Sequence, residues 1–384
     1  MVEATICKRL NHQGSQVTTP ILAAVLEKPG APLQIRELLL DDPEDHEVLI
    51  RTERVGLCHS DLHYLKGSLD ISLPAVLGHE VAGIVERVGS AVTRIKTGDR
   101  VVATVTPSCG ACRNCISGRP TQCERVDSMR ERHRPRLLSS DGSSVESLGG
   151  IGAFAEAFLV KEASAAVVGS DLPPQVACLL GCCISTGVGA VIHGAKVGPE
   201  DTVAVIGCGG VGIAAIQGAR LAGARRIIAI DAVPAKLELA RNFGATDTVV
   251  SSLDPTETLI QVRSLLPQGV SHAIEAVGRS QTAELAFSLL SPTGTATILG
   301  LMPTGSELRI PADALVYGDR HLQGAYMGAN RFLSDVDMFT DHYLNNRLDL
   351  DAMVTKQLPF ERINEGFEAM AEASTIRIVL TMTD

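Results

Sequence analysis

Hydrophobic residues follow two different rhythms along this chain. Between about residues 20 and 160, short β-branched runs are punctuated by glycine: EVLIRTERVGLC, VAGIVERVG, GDRVVATV and AFAEAFLV. Runs of that length, rich in Val and Ile and bounded by turn residues, predict strands, and their crowding predicts a strongly bent, barrel-like β domain. From Asp201 the pattern alternates. Apolar runs TVAVIG, RIIAID, DTVV, HAIEAVG and TATILG are separated by segments of helical period, GIAAIQGARLAG, AKLELARNFG, TETLIQVRSLL and TAELAFSLL. Strand–helix alternation predicts a parallel sheet wound on both faces, so the fold class is α/β. The last sixty or so residues break the rhythm, with helical stretches near FLSDVDMFTDHYLNN and RINEGFEAMAE and a closing strand RIVLTM.

Composition narrows the picture. A chain of 384 residues with 45% hydrophobic content can build two cores and is too long for a disulfide-stapled miniature fold. The net charge of -10 and the lack of a basic cluster longer than RERHRPR, from Arg130 to Arg136, argue against nucleic acid as a partner. That basic run reads as a solvated loop. The first twenty residues contain no apolar run of signal-peptide length, and no segment approaches the ~20 apolar residues of a membrane span. The expectation is a cytoplasmic protein without a membrane partner.

In a reducing compartment, closely spaced cysteines point to metal or catalysis. CGACRNCISGRPTQC places thiols at Cys109, Cys112, Cys115 and Cys123, with Gly110 and Gly118 to ease the turns. The spacing predicts a structural tetrathiolate zinc site, with an iron–sulfur cluster or free thiols as the alternatives. Four protein thiolates fill a zinc shell, so this metal should hold a lobe rather than react.

Within the alternating half, IGCGGVG supplies GxGxxG at Gly207, Gly209 and Gly212, between a strand ending at Ile206 and a helix. Asp231 closes the next strand. Such a turn brings backbone N–H groups, Gly210 included, to a pyrophosphate at the positive end of a helix. Asp231 suits a ribose 2′-hydroxyl and repels a 2′-phosphate, which favours NAD over NADP. Lys236 is compatible with a ribose contact or a plain surface charge. Cys58, His79 and Cys182, from GLCHSD, LGHE and LLGCC, are individually ordinary. Together they are two thiolates and an imidazole, a set that leaves zinc one open position.

The ordered motifs GLCHSD, GHEVAG, the four-Cys cluster, GCCISTG, GxGxxG and LPFERINEGFEAM resemble the zinc-dependent medium-chain alcohol dehydrogenases over nearly the whole chain. The loop from Glu124 to Ile151 is long, similar to the liver-type and formaldehyde-oxidising branches, and the wording around DGSSVESLGGIGAFAE is similar to mycothiol-dependent or nicotinoprotein members. The resemblance implies a GroES-like β-barrel catalytic domain, 1–183 and 326–384, around a Rossmann NAD domain, 184–325, with the reaction in the cleft between them. It implies that Cys58, His79 and Cys182 hold a catalytic zinc acting as a Lewis acid, that Glu80 approaches it, and that Asp61 orients His79. Ser60 and His63 would relay the alcohol proton. His59 and Arg377 would face the coenzyme pyrophosphate, and Thr186, Val211 and Leu299 the nicotinamide.

Two departures bear on substrate. Liver-type relatives carry a large aromatic four residues before the first structural Cys, where this chain has Val105, and Ser60 replaces the threonine of some members. Both enlarge the pocket and point to bulky or aromatic primary alcohols. A thiol-adduct substrate, which would use Arg125, Arg130 or the basic run, and a non-dissociating NAD are the alternatives. A non-catalytic nucleotide-binding protein is the remotest, because the three ligands are all present. Relatives assemble as dimers or tetramers through their coenzyme sheets, so a homo-oligomer is expected.

Overall fold

The computed structural model describes residues 9–10 and 17–382. Most of the first twenty residues, read above as lacking a leader, lie outside the described residues. Contacts divide the chain into two units: Met1–Gly181 with Lys356–Ala369 and Ile378–Asp384, and Cys182–Thr355 with Met370–Arg377.

In the first unit, Val17–Leu26 pairs with Gln34–Leu40, which leads through Leu137–Leu138 and Ser144–Ser147 to Ala75–Val76 and back to Val17–Leu26. The ring closes a five-stranded barrel, which leaves none of its strands as an open edge. Ala23, Ala24, Val25 and Leu26 are all fully buried there. A second, antiparallel sheet is centred on Glu47–Gly56, paired with Glu80–Val88 and Ala157–Lys161. Its register shifts between Leu49 and Ile50 and again between Thr52 and Arg54, and such bulges bend a strand. The bend ends with Gly56 opposite Glu80. That pairing brings the segments carrying Cys58 and His79 side by side.

The second unit holds six parallel strands in the order Asp247–Val250, Arg226–Asp231, Thr202–Ile206, Val270–Glu275, Leu290–Ile298, His321–Gly324. This is the doubly wound order 3-2-1-4-5-6, with the crevice where the order reverses. Thr202–Ile206 is buried at every position, as a parallel strand covered on both faces must be. The sheet packs on Gly210–Leu221, Pro234–Asn242, Pro255–Leu265 and Ser280–Ser288, around a core that includes Ile206, Ile228, Ile230, Val262 and Phe287. The sixth strand was not anticipated. HLQG is four residues long and nowhere fully buried, so it carries no apolar alternation to read.

Two expectations need correction. Residues 326–355 and 370–377 group with the parallel-sheet unit rather than with the barrel. Phe332–Leu344 buries Phe332, Val336 and Phe339, and such a helix follows the core it packs on, not the rhythm of its sequence. The basic run is not a solvated loop either. The Arg132 side chain is 3% exposed, with Nε 2.8 Å from Glu47 Oε2 and a terminal nitrogen 3.2 Å from Asp41 Oδ2. Arg136 and Lys161 share the fully buried Glu47 carboxylate, while His133 and Arg134 stay exposed. The partners lie in DDPEDHE, residues 41–47, too far along the chain for local patterning to reveal. No single helix among the described residues is long and apolar enough to cross a membrane.

Candidate functional site

Cys109, Cys112, Cys115 and Cys123 bring one sulfur each within 4.8 Å of the others. The Cys109–Cys115 and Cys112–Cys123 sulfurs are 4.0 Å apart. Disulfides are ruled out, since a bonded pair sits at ~2.05 Å, whereas thiolates ~2.3 Å from one tetrahedral zinc sit ~3.8 Å apart. Gly110 and Gly118 adopt φ of 67° and 79°, the left-handed turns that fold the loop around the sulfurs. Backbone N–H groups of Cys115 and Glu124 pull the Cys112 thiol down to about 6, whereas burial beside the other thiols pushes Cys115 up to about 12. The first thiolate forms readily and the last needs a cation to replace its proton. The donor set fits zinc and leaves it no open position.

Cys58, His79, Glu80 and Cys182 form a second group, all buried, with one ligand atom each within 4.8 Å of the others. Cys58 caps helix His59–Leu65, and its backbone N–H donates to Asp61 Oδ2 at 3.3 Å. The other Asp61 oxygen accepts from Gly78 N–H at 3.0 Å and lies 3.1 Å from His79 Nδ1. That bond fixes the proton on Nδ1 and leaves Nε2 as the ligating nitrogen. Burial alone would push the His79 imidazole down, but Asp61 and Cys58 hold its pKa well above the usual histidine range.

Cys182 follows Gly181, where a Cβ would stand 2.3 Å from the Ala103 carbonyl oxygen and 3.4 Å from that of His79. Only glycine lets the chain pass the Ala103 carbonyl so closely at this point, next to His79. Glu80 presses on Gly56 in the same way, since a Cβ there would be 2.6 Å from Glu80 Oε2. Ser60 Oγ is 3.7 Å from Cys58 Sγ, and half-buried His63 follows one turn later on the same helix. His59 is exposed at the first turn of that helix. The group can hold a metal: Cys58, His79 and Cys182 supply two thiolates and an imidazole, with the Glu80 carboxylate beside them as a fourth possible donor.

In the second unit the glycine turn has the shape the motif requires. Gly207 has φ 92°, and a Cβ at residue 212 would stand 1.7 Å from the Gly207 carbonyl oxygen. Around Gly209 a Cβ would meet nothing within 4 Å, so an incoming pyrophosphate can reach the backbone. Helix Gly210–Leu221 opens here, two residues earlier than its sequence pattern suggested. Asp231 accepts from Cys208 N–H at 2.7 Å and Val233 N–H at 2.9 Å, which ties the turn to the end of the next strand. Lys236 is partly buried and electrostatically close to Cys208. The guanidinium of Arg377, 3% exposed, lies against Gly210, where a Cβ would be 2.4 Å from Nε. Thr186 Oγ1 is 3.8 Å from Met327 Sδ, and the Val211 carbonyl oxygen packs on Gly187 one residue further on. Leu299 N–H donates to the Glu275 carbonyl at 2.9 Å. Sequence reasoning missed Glu275, whose position directly after an apolar run was the available signal.

The family profile described as alcohol dehydrogenase GroES-like domain matches residues 44–170, and that described as zinc-binding dehydrogenase matches residues 210–341. A class-3 alcohol dehydrogenase from Myxine glutinosa is 37% identical over 366 residues, covering 94% of this chain and 97% of its own. Among solved structures, an alcohol dehydrogenase zinc-binding domain protein from Burkholderia ambifaria superposes with a TM-score of 0.89 at 31% identity, covering 96% of this chain and 100% of its own. Benzyl alcohol dehydrogenase from Acinetobacter calcoaceticus superposes with a TM-score of 0.86 at 28% identity, covering 95% and 100%. The chain belongs to the zinc-dependent medium-chain alcohol dehydrogenase family, the class its barrel, parallel sheet and two metal-ligand groups define. It is an oxidoreductase acting on alcohols.

Proposed function

We propose that the protein interconverts a primary alcohol, bulky or aromatic, and its aldehyde with NAD as the hydride acceptor. The observation that carries this reading is the convergence of Cys58, His79, Glu80 and Cys182, with Asp61 locking the imidazole from behind. Zinc bound by Cys58, His79 and Cys182 would supply the Lewis acidity that lets an alcohol ionise near neutral pH, and NAD at the glycine turn would take the hydride. The remaining work falls to the chain. Ser60, beside Cys58, accepts the alcohol proton while releasing its own hydroxyl proton, and His63, three residues along the same helix, takes the released proton on towards solvent. Asp231 orients the adenosine ribose, and Arg377 presents positive charge at the start of helix Gly210–Leu221.

The preference for a bulky substrate draws on Val105 and Ser60, and on the benzyl alcohol dehydrogenase among the structural neighbours. The thiol-adduct reading loses support, because Arg132 and Arg136 are already engaged by Glu47 and the Arg130 guanidinium donates to the Val105 carbonyl. We place the reaction in the cytoplasm, because two groups of cysteines arranged as metal ligands suit a reducing compartment. A homo-oligomer would cover the edge strand His321–Gly324 and the exposed Val316 and Tyr317 beside it. Steady-state rates with ethanol, benzyl alcohol and S-hydroxymethyl thiols test the substrate. The expected result is the highest kcat/KM for benzyl alcohol and an NAD preference over NADP of about tenfold or more. Activity confined to the thiol adduct, or NAD that stays bound through desalting, would replace this reading with one of its alternatives.

A further inference from the structure

Glu275 is fully buried at the carboxyl end of strand Val270–Glu275, next to the strand that ends in the glycine turn. One carboxylate oxygen, Oε1, accepts three hydrogen bonds: from Val277 N–H at 2.8 Å, Gly278 N–H at 2.8 Å and Thr282 Oγ1 at 2.7 Å. The other, Oε2, has no partner among the described residues. A Cβ on Gly300 would stand 2.8 Å from that oxygen and 2.0 Å from Gly278 N, so the two turns touch and only glycine fits between them. The Glu275 backbone carbonyl accepts from Leu299 and Gly300 N–H at 2.9 and 3.2 Å. Val277, held by this carboxylate, lies against the glycine turn, where a Cβ on Gly207 would be 2.7 Å from Val277 Cγ2.

A buried carboxylate with one unpaired oxygen is costly, and a residue kept on packing grounds alone would be apolar. We propose that Glu275 is a positioning residue for the coenzyme. Its side chain fixes the 276–278 turn, and its carbonyl fixes the 299–300 turn. Together they set the rim of the crevice on the side of strands Val270–Glu275 and Leu290–Ile298. In the doubly wound order the glycine turn and Asp231 serve the adenosine half of a dinucleotide, and the opposite strands serve the other half. Glu275 therefore governs the nicotinamide half. The proposal rests on the dehydrogenase reading given above.

The test exploits a chain with no tryptophan, in which NADH fluorescence is read without indole background. Titrations with NADH and with ADP-ribose, which lacks the nicotinamide, are compared for the intact protein, Glu275→Gln and Glu275→Met. Glutamine keeps an acceptor oxygen at the three donors and methionine keeps only the bulk. The expected result for Glu275→Met is NADH binding weakened about tenfold or more, ADP-ribose binding changed less than about threefold, and a kcat that falls with KM for NAD rising. Glu275→Gln should restore NADH binding to within about threefold. If Glu275→Met fails to fold, Thr282→Val removes one of the three donors and should weaken NADH alone, by a smaller factor. Equal weakening of both ligands, or none, overturns the proposal; failure of the unmodified protein to bind NADH at all overturns the dehydrogenase reading instead.

Discussion

Asp61 does three jobs from one buried position: it accepts from Cys58 N–H and Gly78 N–H and faces His79 Nδ1. The first two bonds set where two donors of the metal group stand, and the third sets which imidazole nitrogen is presented. Asp61→Asn keeps an acceptor but removes the charge. Zinc affinity should fall about 10- to 100-fold, since partners behind a ligating histidine typically matter by that much, with kcat falling alongside. Competition with a chelator, read against activity, measures both. Unchanged zinc retention would mean that His79 is held by packing alone. The sequence proposed Cys58 and His79 from residue type and motif, and Asp61 only from the family resemblance. It did not propose Glu275, because a place directly after an apolar run says nothing of that residue's partners, which are mostly backbone N–H groups of two separate turns.

At the level of elements, two ionic devices carry predictions. Arg132 holds the long loop after Cys123 onto Asp41 and Glu47 of the first unit. Arg132→Met removes the best-buried cation of the network, leaving Glu47 to Arg136 and Lys161 and Asp41 to Arg134, and ~1.5–3 kcal/mol of stability should be lost. Denaturant unfolding of the metal-loaded protein measures it, and a loss below about 1 kcal/mol would mean that water reaches the network. Arg226 and Asp247 join neighbouring parallel strands through two bonds of 2.6 and 2.7 Å. The Arg226 hydrogen bonds hold the Asp247 carboxyl below its usual value despite some opposing burial. A folded-state pKa below the unfolded one means that the stabilisation is present above the ordinary aspartate value and fades as pH falls through the lowered one. Asp247→Asn should therefore be less stable by about 1 kcal/mol at pH 7, after allowing for partial exposure. It should differ little from the parent in strong acid. A gap that persists or widens on acidification contradicts the assignment. Strands and helices of the parallel sheet could be read from apolar rhythm, but neither of these pairs could, since each joins charges 21 or more residues apart.

For the whole molecule, the chain uses thiols in two ways. Four clustered cysteines and a second group of Cys58, His79, Glu80 and Cys182, drawn from distant stretches of sequence, each converge on one point; under the proposed function the first forms a closed metal shell and the second, through its two thiolates and imidazole, leaves one open position. The sequence distinguishes these roles because spacing alone predicts the first and only the assembled fold makes the second. It did not reveal where residues 326–355 and 370–377 would pack, because a helix with an apolar face is compatible with either core. The central claim is that there are two metals with separate duties. It is tested by counting zinc per chain after desalting, in the parent protein and in Cys58→Ala and Cys112→Ala, with benzyl alcohol oxidation followed in parallel. The account predicts two zincs in the parent. Cys58→Ala should keep one, with activity lost and the circular dichroism and unfolding midpoint preserved; Cys112→Ala should also keep one, with the unfolding midpoint lowered. One zinc in the parent that survives Cys58→Ala, with oxidation unaffected, would contradict it.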